Sequence, residues 1–286
     1  MIPQLKRQAD LTGVAAGGVS TMMLPAAGVH HGLHLVVRSA AGVGLTRAQM
    51  ITDIGSIVLR LNGDRKIDVT MTALLDIWKY YFDQYVVHTV AGAIPIPFVR
   101  PSYPLMETRE AMAWGMADVQ SYTLEVTWNA GLATAASCEV YCEIEDRTAP
   151  LGRHLCIETH PQNFGSTGDQ DVTTLPFADP SMGYIALHFT NGSGQIDALT
   201  VNVNNNDAID EIPSELNAHL LKQAGRNAQS GYYHADFCRI NHPGGFLPCN
   251  GMSNFRQRVN WNAAAGAPGN YSIIAEVLRG LDKAVA

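Results

Sequence analysis

Charge is scarce in this sequence. Asp, Glu, Lys and Arg make up only 16% of its 286 residues, against roughly 25% in ordinary globular domains, so neighbouring subunits are expected to cover much of the surface. The charge present sums to −7, with a pI near 5.8. That balance excludes a general nucleic-acid-binding face, which would be basic. Long apolar runs are also missing: no stretch nears the roughly 20 residues that span a bilayer, and the segment Met1–Arg7 has no signal-peptide core. Synthesis and retention in the cytoplasm are therefore expected. The five cysteines, Cys138, Cys142, Cys156, Cys238 and Cys249, form no Cys-x-x-Cys pair, which excludes a disulfide framework or a zinc finger and predicts reduced, buried thiols. Nucleophile elbows, phosphate loops, dinucleotide fingerprints and EF-hand spacings are absent too.

What the chain does have is a weak internal repeat with its landmarks in constant order. Leu24-Pro25 answers to Leu175-Pro176, and Leu33-His34-Leu35 to Leu187-His188-Phe189. The hairpin-like segment Leu59–Asp68 matches Val201–Asp210, and Phe98-Val99-Arg100 matches Phe237-Cys238-Arg239. Val126–Ala130 pairs with Val259–Ala263, and Glu143-Ile144 with Glu276-Val277. The offsets, 151, 154, 142, 139, 133 and 133, drift only as loop lengths would make them.

Residues 1–18, small and polar with Lys6 and Arg7, read as a flexible arm. After them come short apolar runs of strand length, and Asn62-Gly63 is a strong signal for a two-residue hairpin because both turn positions need positive φ. Helical spacing over Thr72–Tyr85 and a helix opening at Pro213-Ser214-Glu215 place one main helix in each half. A further short helix is predicted over Glu107–Met116. Long loops are expected at Val86–Ala93, Asn129–Ser137, His160–Gln170 and His242–Ser253. About eight short strands per half, with few helices, predict an all-β fold of two tandem eight-stranded jelly rolls, residues 19–146 and 147–286, each with one main inserted helix.

Two jelly rolls in tandem, with a helix after the fourth or fifth strand of each, resemble the double jelly-roll major capsid proteins of tailless icosahedral bacterial viruses that carry an internal lipid membrane, the corticovirus type in particular. The residues carrying the resemblance are Val14–Gly17 with Leu24-Pro25, the Leu59–Arg65 hairpin with Leu74-Leu75-Asp76, and Phe98–Pro101. The resemblance implies a structural subunit without catalytic activity or cofactor. It would form homotrimers of six upright rolls that tile a shell over a membrane, and a separate penton or spike protein would fill the vertices.

Individual side chains suggest further readings. His30 and His34 would share one face of a regular strand, and together with a distant carboxylate they would give a bicupin-like metal site. A cytoplasmic two-sandwich enzyme or carbohydrate-binding protein is thus the alternative, although Val36, Val37, Arg38 and Ser39 stand where a cupin glutamate belongs. The acidic groups Glu143-Glu145-Asp146, Asp169-Asp171 and Asp207-Asp210-Glu211 offer oxygen ligands for structural calcium, or solvated loops. Trp128 and Trp261, being equivalent, predict core or sheet-facing roles. Arg100 and Arg239, also equivalent, predict ties between a strand and a loop. Lys6 and Arg7, beside Ile2 and Leu5, would touch anionic headgroups.

Overall fold

The computed structural model describes residues 3–81, 92–100, 111–239 and 245–282. The chain divides into two compact units, residues 1–157 with 282–286 and residues 158–281, which form the first and second rolls.

The first roll runs β1 (Gln4–Arg7), β2 (Val19–Met23), β3 (Val29–Ser39), α1 (Arg47–Asp53), β4 (Ile54–Leu61), β5 (Asp64–Thr70), α2 (Met71–Tyr81), β6 (Ala93–Pro97), β7 (Trp114–Gly115), β8 (Tyr122–Trp128) and β9 (Ala135–Glu145). One sheet has the order β1-β9-β3-β6, with the two-residue β7 also on β3, and the other has β5-β4-β8-β2. Alternation of apolar and polar residues turns one face of strands such as β8 and β9 inward. Leu33, Leu35 and Val37 of β3, Leu59 of β4, and Leu124 and Val126 of β8 are all fully buried. Each such side chain contributes roughly 1.5–3 kcal/mol through removal from water.

The second roll repeats this series strand for strand: β10 (His154–Phe164), β11 (Gly168–Val172), β12 (Gly183–Thr190), β13 (Ile196–Val203), β14 (Asn206–Pro213), α3 (Ser214–Gln223), β15 (Tyr232–Asp236), β16 (Leu247–Pro248), β17 (Phe255–Trp261) and β18 (Gly269–Arg279). Its sheets have the orders β10-β18-β12-β15, with β16 on β12, and β14-β13-β17-β11. Every pairing of the first roll has its counterpart. The register is kept as well: Leu33 faces Cys142 and Ile96, while Leu187 faces Ala275 and Ala235.

The repeated hairpin shows why the register survives. Asn62 and Gly63 have φ of 51° and 84°, and Asn204 and Asn205 have 52° and 64°, as a turn with two left-handed positions requires. In each copy the asparagine side chain also ties down the start of a distant strand. Asn62 Oδ1 accepts from the Gln120 and Ser121 amides at 2.7 and 3.1 Å, and Asn204 Oδ1 accepts from the Ser253 and Asn254 amides at 2.7 and 3.2 Å.

Several expectations change. Residues 4–7, read as a flexible arm, form β1, which pairs antiparallel with β9 over Ile144–Tyr141. All four β1 residues are exposed, so no apolar alternation marked them as a strand. The loop expected over His160–Gln170 contracts to residues 165–167 between β10 and β11. Helix α1 was not foreseen and has no counterpart in the second roll, where residues 191–195 join β12 to β13. A capping box starts it: the Thr46 hydroxyl accepts from the Gln49 amide, and Gln49 Oε1 accepts from the Thr46 amide at 2.9 Å. Its last residue, Asp53, is buried and accepts from the amides of Ala133, Thr134 and Ala135 at 2.6–3.0 Å, which pins the loop before β9. The short helix predicted over Glu107–Met116 lies outside the described residues up to 110, and the remainder holds a turn and β7. Residues 86–91 and 242–244 of two expected loops also lie outside the described residues.

Candidate functional site

The histidines that suggested a metal do not converge. Opposite β9, strand β3 advances two residues, from His30 to Gly32, while β9 advances one, from Ile144 to Glu143. This β-bulge at His31 breaks the alternation. His30 therefore turns into the core, fully buried and edge-on to Tyr122 at 5.3 Å, while His34 points outward. Burial pushes the His30 pKa down to about 4, and its Nε2 donates to the Ala27 carbonyl at 3.2 Å. The shared face predicted for His30 and His34 is thus overturned. Among the described residues no group of three His, Cys, Asp or Glu side chains is placed to hold a metal ion.

The second roll repeats the bulge. Between Tyr184 and Ala186 the register against β18 shifts in the same way, and Tyr184 takes the place of His30. Its hydroxyl donates to the carbonyl of Pro176, the residue that matches Pro25 in the sequence repeat.

Beyond the bulge the repeat brings together residues that the sequence analysis aligned but did not join. In the first roll His34 Nε2 lies 3.8 Å from Glu143 Oε2, with both side chains about one-third exposed, and the imidazole holds the Glu143 pKa below the usual carboxylate range against the effect of burial. In the second roll the equivalent His188 and Glu276 are fully buried, with Nε2 and Oε1 2.7 Å apart. A third group joins them: His234 Nδ1 lies 2.7 Å from His188 Nδ1.

The proton positions in this buried chain follow from its ends. The Gln229 amide can only donate, and it meets His234 Nε2 at 3.1 Å. That nitrogen is bare, so His234 carries its proton on Nδ1 and donates it to His188 Nδ1. His188 in turn holds its proton on Nε2 and donates to the Glu276 carboxylate. Both rings are neutral. Burial and then the neighbouring His188 keep the His234 pKa well below its ordinary value. Asn217 of α3 donates to the His234 carbonyl at 2.8 Å, which closes the outer side of β15. The group is saturated with partners and closed to solvent, so it can brace a sheet but offers no open site for a substrate.

The other predicted residues fall at equivalent places. Trp128 and Trp261 are both buried, and each indole donates to the strand beside it, Trp128 to Ser20 Oγ at 2.8 Å and Trp261 to Gln170 Oε1 at 3.0 Å. Arg100 is buried with its guanidinium 4.5 Å over the ring of Tyr81, so it packs on α2. Arg239 lines a cavity of about 240 Å³ with Ile209, Leu221 and Phe246. Lys6 and Arg7 stand exposed on β1, where Arg7 pairs with Asp10 at 2.9 Å. Asp169 and Asp171 have protein partners: Asp171 pairs with Arg258 at 3.1 Å and Arg256 at 3.7 Å, and Asp169 accepts from Asn260 at 2.7 Å. All five cysteines are buried, and none takes part in a disulfide. No helix among the described residues is long and apolar enough to cross a membrane.

Comparison with known proteins accounts for the duplicated fold. Residues 5–145 match the N-terminal domain of viral coat protein P2, and residues 155–281 match its C-terminal domain. The chain belongs to the viral coat protein P2 family. Among solved structures, this coat protein is similar to the major capsid protein P2 of bacteriophage PM2, with a TM-score of 0.82 at 15% identity over 97% of each chain. It is also similar to the STIV major capsid protein, with a TM-score of 0.69 at 11% identity over 97% of each chain. The third comparison is the PBCV-1 virus capsid, with a TM-score of 0.65 at 12% identity over 98% of this chain and 95% of the other. No curated protein sequence matches. The coat protein has the double jelly-roll fold, and its family is that of a structural viral coat protein, not an enzyme. Copies of it assemble into a capsid lattice.

Proposed function

We propose that the coat protein assembles as a homotrimer whose six rolls form a pseudo-hexagonal block, and that these blocks tile an icosahedral shell over an internal lipid membrane. The observation that carries this reading is the strand-for-strand duplication, since two rolls of one register supply two near-equivalent corners and three chains then complete six. Assembly takes place in the host cytoplasm, and a separate penton or spike protein fills the vertices. Residues 1–18, with Lys6 and Arg7 exposed beside Leu5 at 62% exposure, form the membrane-proximal part. Each cation contributes about 1 kcal/mol at an anionic surface, and many copies on one shell add by avidity. Arg100 and Arg239 serve as structural equivalents that hold the segment following β6 and β15.

Light scattering behind a sizing column, with electron microscopy of the peak, tests the proposal. The expected mass is three times 30.9 kDa, or hexagonal sheets and shells; a stable monomer at all concentrations would refute it. Flotation with anionic vesicles tests the basic segment: the unassembled trimer, whose membrane-proximal face is open, is expected to float with the vesicles, and its Lys6→Ala, Arg7→Ala variant to lose them.

A further inference from the structure

Strand β5 differs from β14, its counterpart, in what lies along its outer edge. The first compact unit ends at Ile157 and so takes in the start of β10, where Ile157 pairs parallel with Ile67 of β5. Both isoleucines are buried. The equivalent of Ile67 is Ile209, since Ile67 stands opposite Leu59, and Ile209 opposite Val201, in the repeated hairpin. Among the described residues no strand lies beyond β14 in its sheet. Ile209 is only half-buried, and with Ile212, Leu221 and Phe246 it lines a cavity of about 240 Å³. The edge that β5 fills with the opening strand of the second roll is therefore vacant on β14.

The strand that matches β10 is β1, because each lies beside the last strand of its roll, β18 or β9. Leu5 of β1 stands opposite Glu143. In the second roll Asn163 Nδ2 meets Asn270 Oδ1 at 2.6 Å, and side chains that short meet across directly opposed positions. Glu158 meets Arg279 at 2.6 Å, so β10 and β18 run antiparallel. Six residues back from Asn163 and six on from Asn270, Ile157 then falls opposite Glu276. Glu276 is the equivalent of Glu143, which makes Leu5 the equivalent of Ile157. Yet Leu5 is 62% exposed, and among the described residues no strand lies on the far side of β1.

We infer that β14 of one chain receives β1 of the next, in parallel, with Leu5 against Ile209 and its side chain in the cavity beside that strand. Between chains this contact repeats the pairing that Ile157 makes with Ile67 within one. Charge favours it: β14 carries Asp207, Asp210 and Glu211 and no base, whereas β1 carries Lys6 and Arg7 and no acid. Direction favours it too. Rotation about an axis that runs along upright strands preserves their direction, so rolls arranged around such an axis can pair only in parallel. The contact is heterologous, and three copies of it close a ring. The inference rests on the homotrimer reading, to which it adds the residues that join one chain to the next.

Cysteine cross-linking of the full chain tests it. Paired strands lie about 4.8 Å apart, within disulfide reach, and the native thiols are all buried. On mild oxidation a Leu5→Cys, Ile209→Cys variant is expected to give covalent dimers and trimers and nothing longer, while each single variant runs as a monomer on a denaturing gel. Leu5→Asp changes an exposed side chain, so the subunit folds, but it sets a further carboxylate against those of β14. Its trimer is expected to need at least tenfold more protein to form. Should the Ile209→Cys variant fail to fold, Leu5→Asp decides alone. A wild-type trimer in light scattering, with no cross-link in the folded double variant or with Leu5→Asp forming trimers as readily as the wild type, overturns the inference and leaves the homotrimer standing. A ladder of cross-links past three chains overturns the closed ring. A wild type that stays monomeric at every concentration overturns both readings.

Discussion

His34 with Glu143 and His188 with Glu276 occupy the same two positions of the same strand pair, yet the first pair is one-third exposed and the second is sealed in the interior. The backbone does not make the difference, since bulge, register and pairing are shared. The residue opposite the histidine on the next strand differs: Pro95 on β6 in the first roll and His234 on β15 in the second. Proline removes the outward N–H and guards the open edge of β6. In the second roll α3 takes over that duty, with Asn217 capping the His234 carbonyl, and the freed position carries a ring that continues the chain inward. Duplication preserved the hydrogen-bond ladder and allowed a surface ion pair to become a core network.

The largest effect expected from this contrast comes from removing the carboxylates. Glu276→Ala leaves the buried Nε2–H of His188 without its acceptor and should cost about 3 kcal/mol, for the unmet donor and the cavity together, whereas Glu143→Ala should cost no more than about 1 kcal/mol. Urea denaturation of both variants measures this, and equal losses would erase the distinction between the rolls.

Acid comes next. His30 has a folded pKa of about 4 against about 6.5 in the unfolded chain, so below pH 6.5 the unfolded state binds more protons. Stability is complete above pH 6.5 and falls by about 3 kcal/mol as the pH drops to 4. His234, also depressed by burial, adds a loss of the same sign from the second roll. His30→Phe should remove the first roll's share alone, which a pH series of denaturation midpoints would show as a shallower slope rather than a flat line.

The two turn asparagines should behave alike. Asn62→Ala and Asn204→Ala each lose a residue suited to positive φ and an acceptor for two amides, at about 2 kcal/mol apiece. The double variant is expected to equal the sum within about 0.5 kcal/mol, and a larger deviation would mean that the two hairpins are coupled. Smallest is Thr46→Ala, which removes the cap of a helix found in one roll only. Its cost of about 1 kcal/mol should appear as faster amide exchange in α1 and in the loop held by Asp53, with the second roll unchanged.

These differences also mark what the sequence could carry. The hairpins were legible because Asn-Gly and Asn-Asn specify a left-handed turn through local chemistry, and the repeat was legible because Trp128 and Trp261, or Leu33 and Leu187, must face the same way in both copies. Strand β1 was not, since a fully exposed edge strand has no apolar period and only its bonds to β9 define it. The bulge at His31 was invisible because an extra residue changes the phase without changing the composition, and that hidden phase made His30 and His34 look like partners. Helix α1 did have a signal, Thr46-Arg47-Ala48-Gln49, which reads as a capping box. The buried network was half legible: the repeat supplied His188 and Glu276, but His234 aligns with a proline and only the fold brings it near.

The paired bulges also have a mechanical consequence. Shear along a shell pulls neighbouring strands past one another, and the pairings of β3 with β9 and of β12 with β18 lie in the middle of their sheets. A one-residue slip would turn every inward side chain outward. A two-residue slip would keep the pattern, but it would have to drag the extra residue, His31 or Ile185, along the ladder and pull His30 or Tyr184 out of the core. Each of these two bulges therefore acts as a detent that locks its sheet against shear, and the two rolls carry it at equivalent residues.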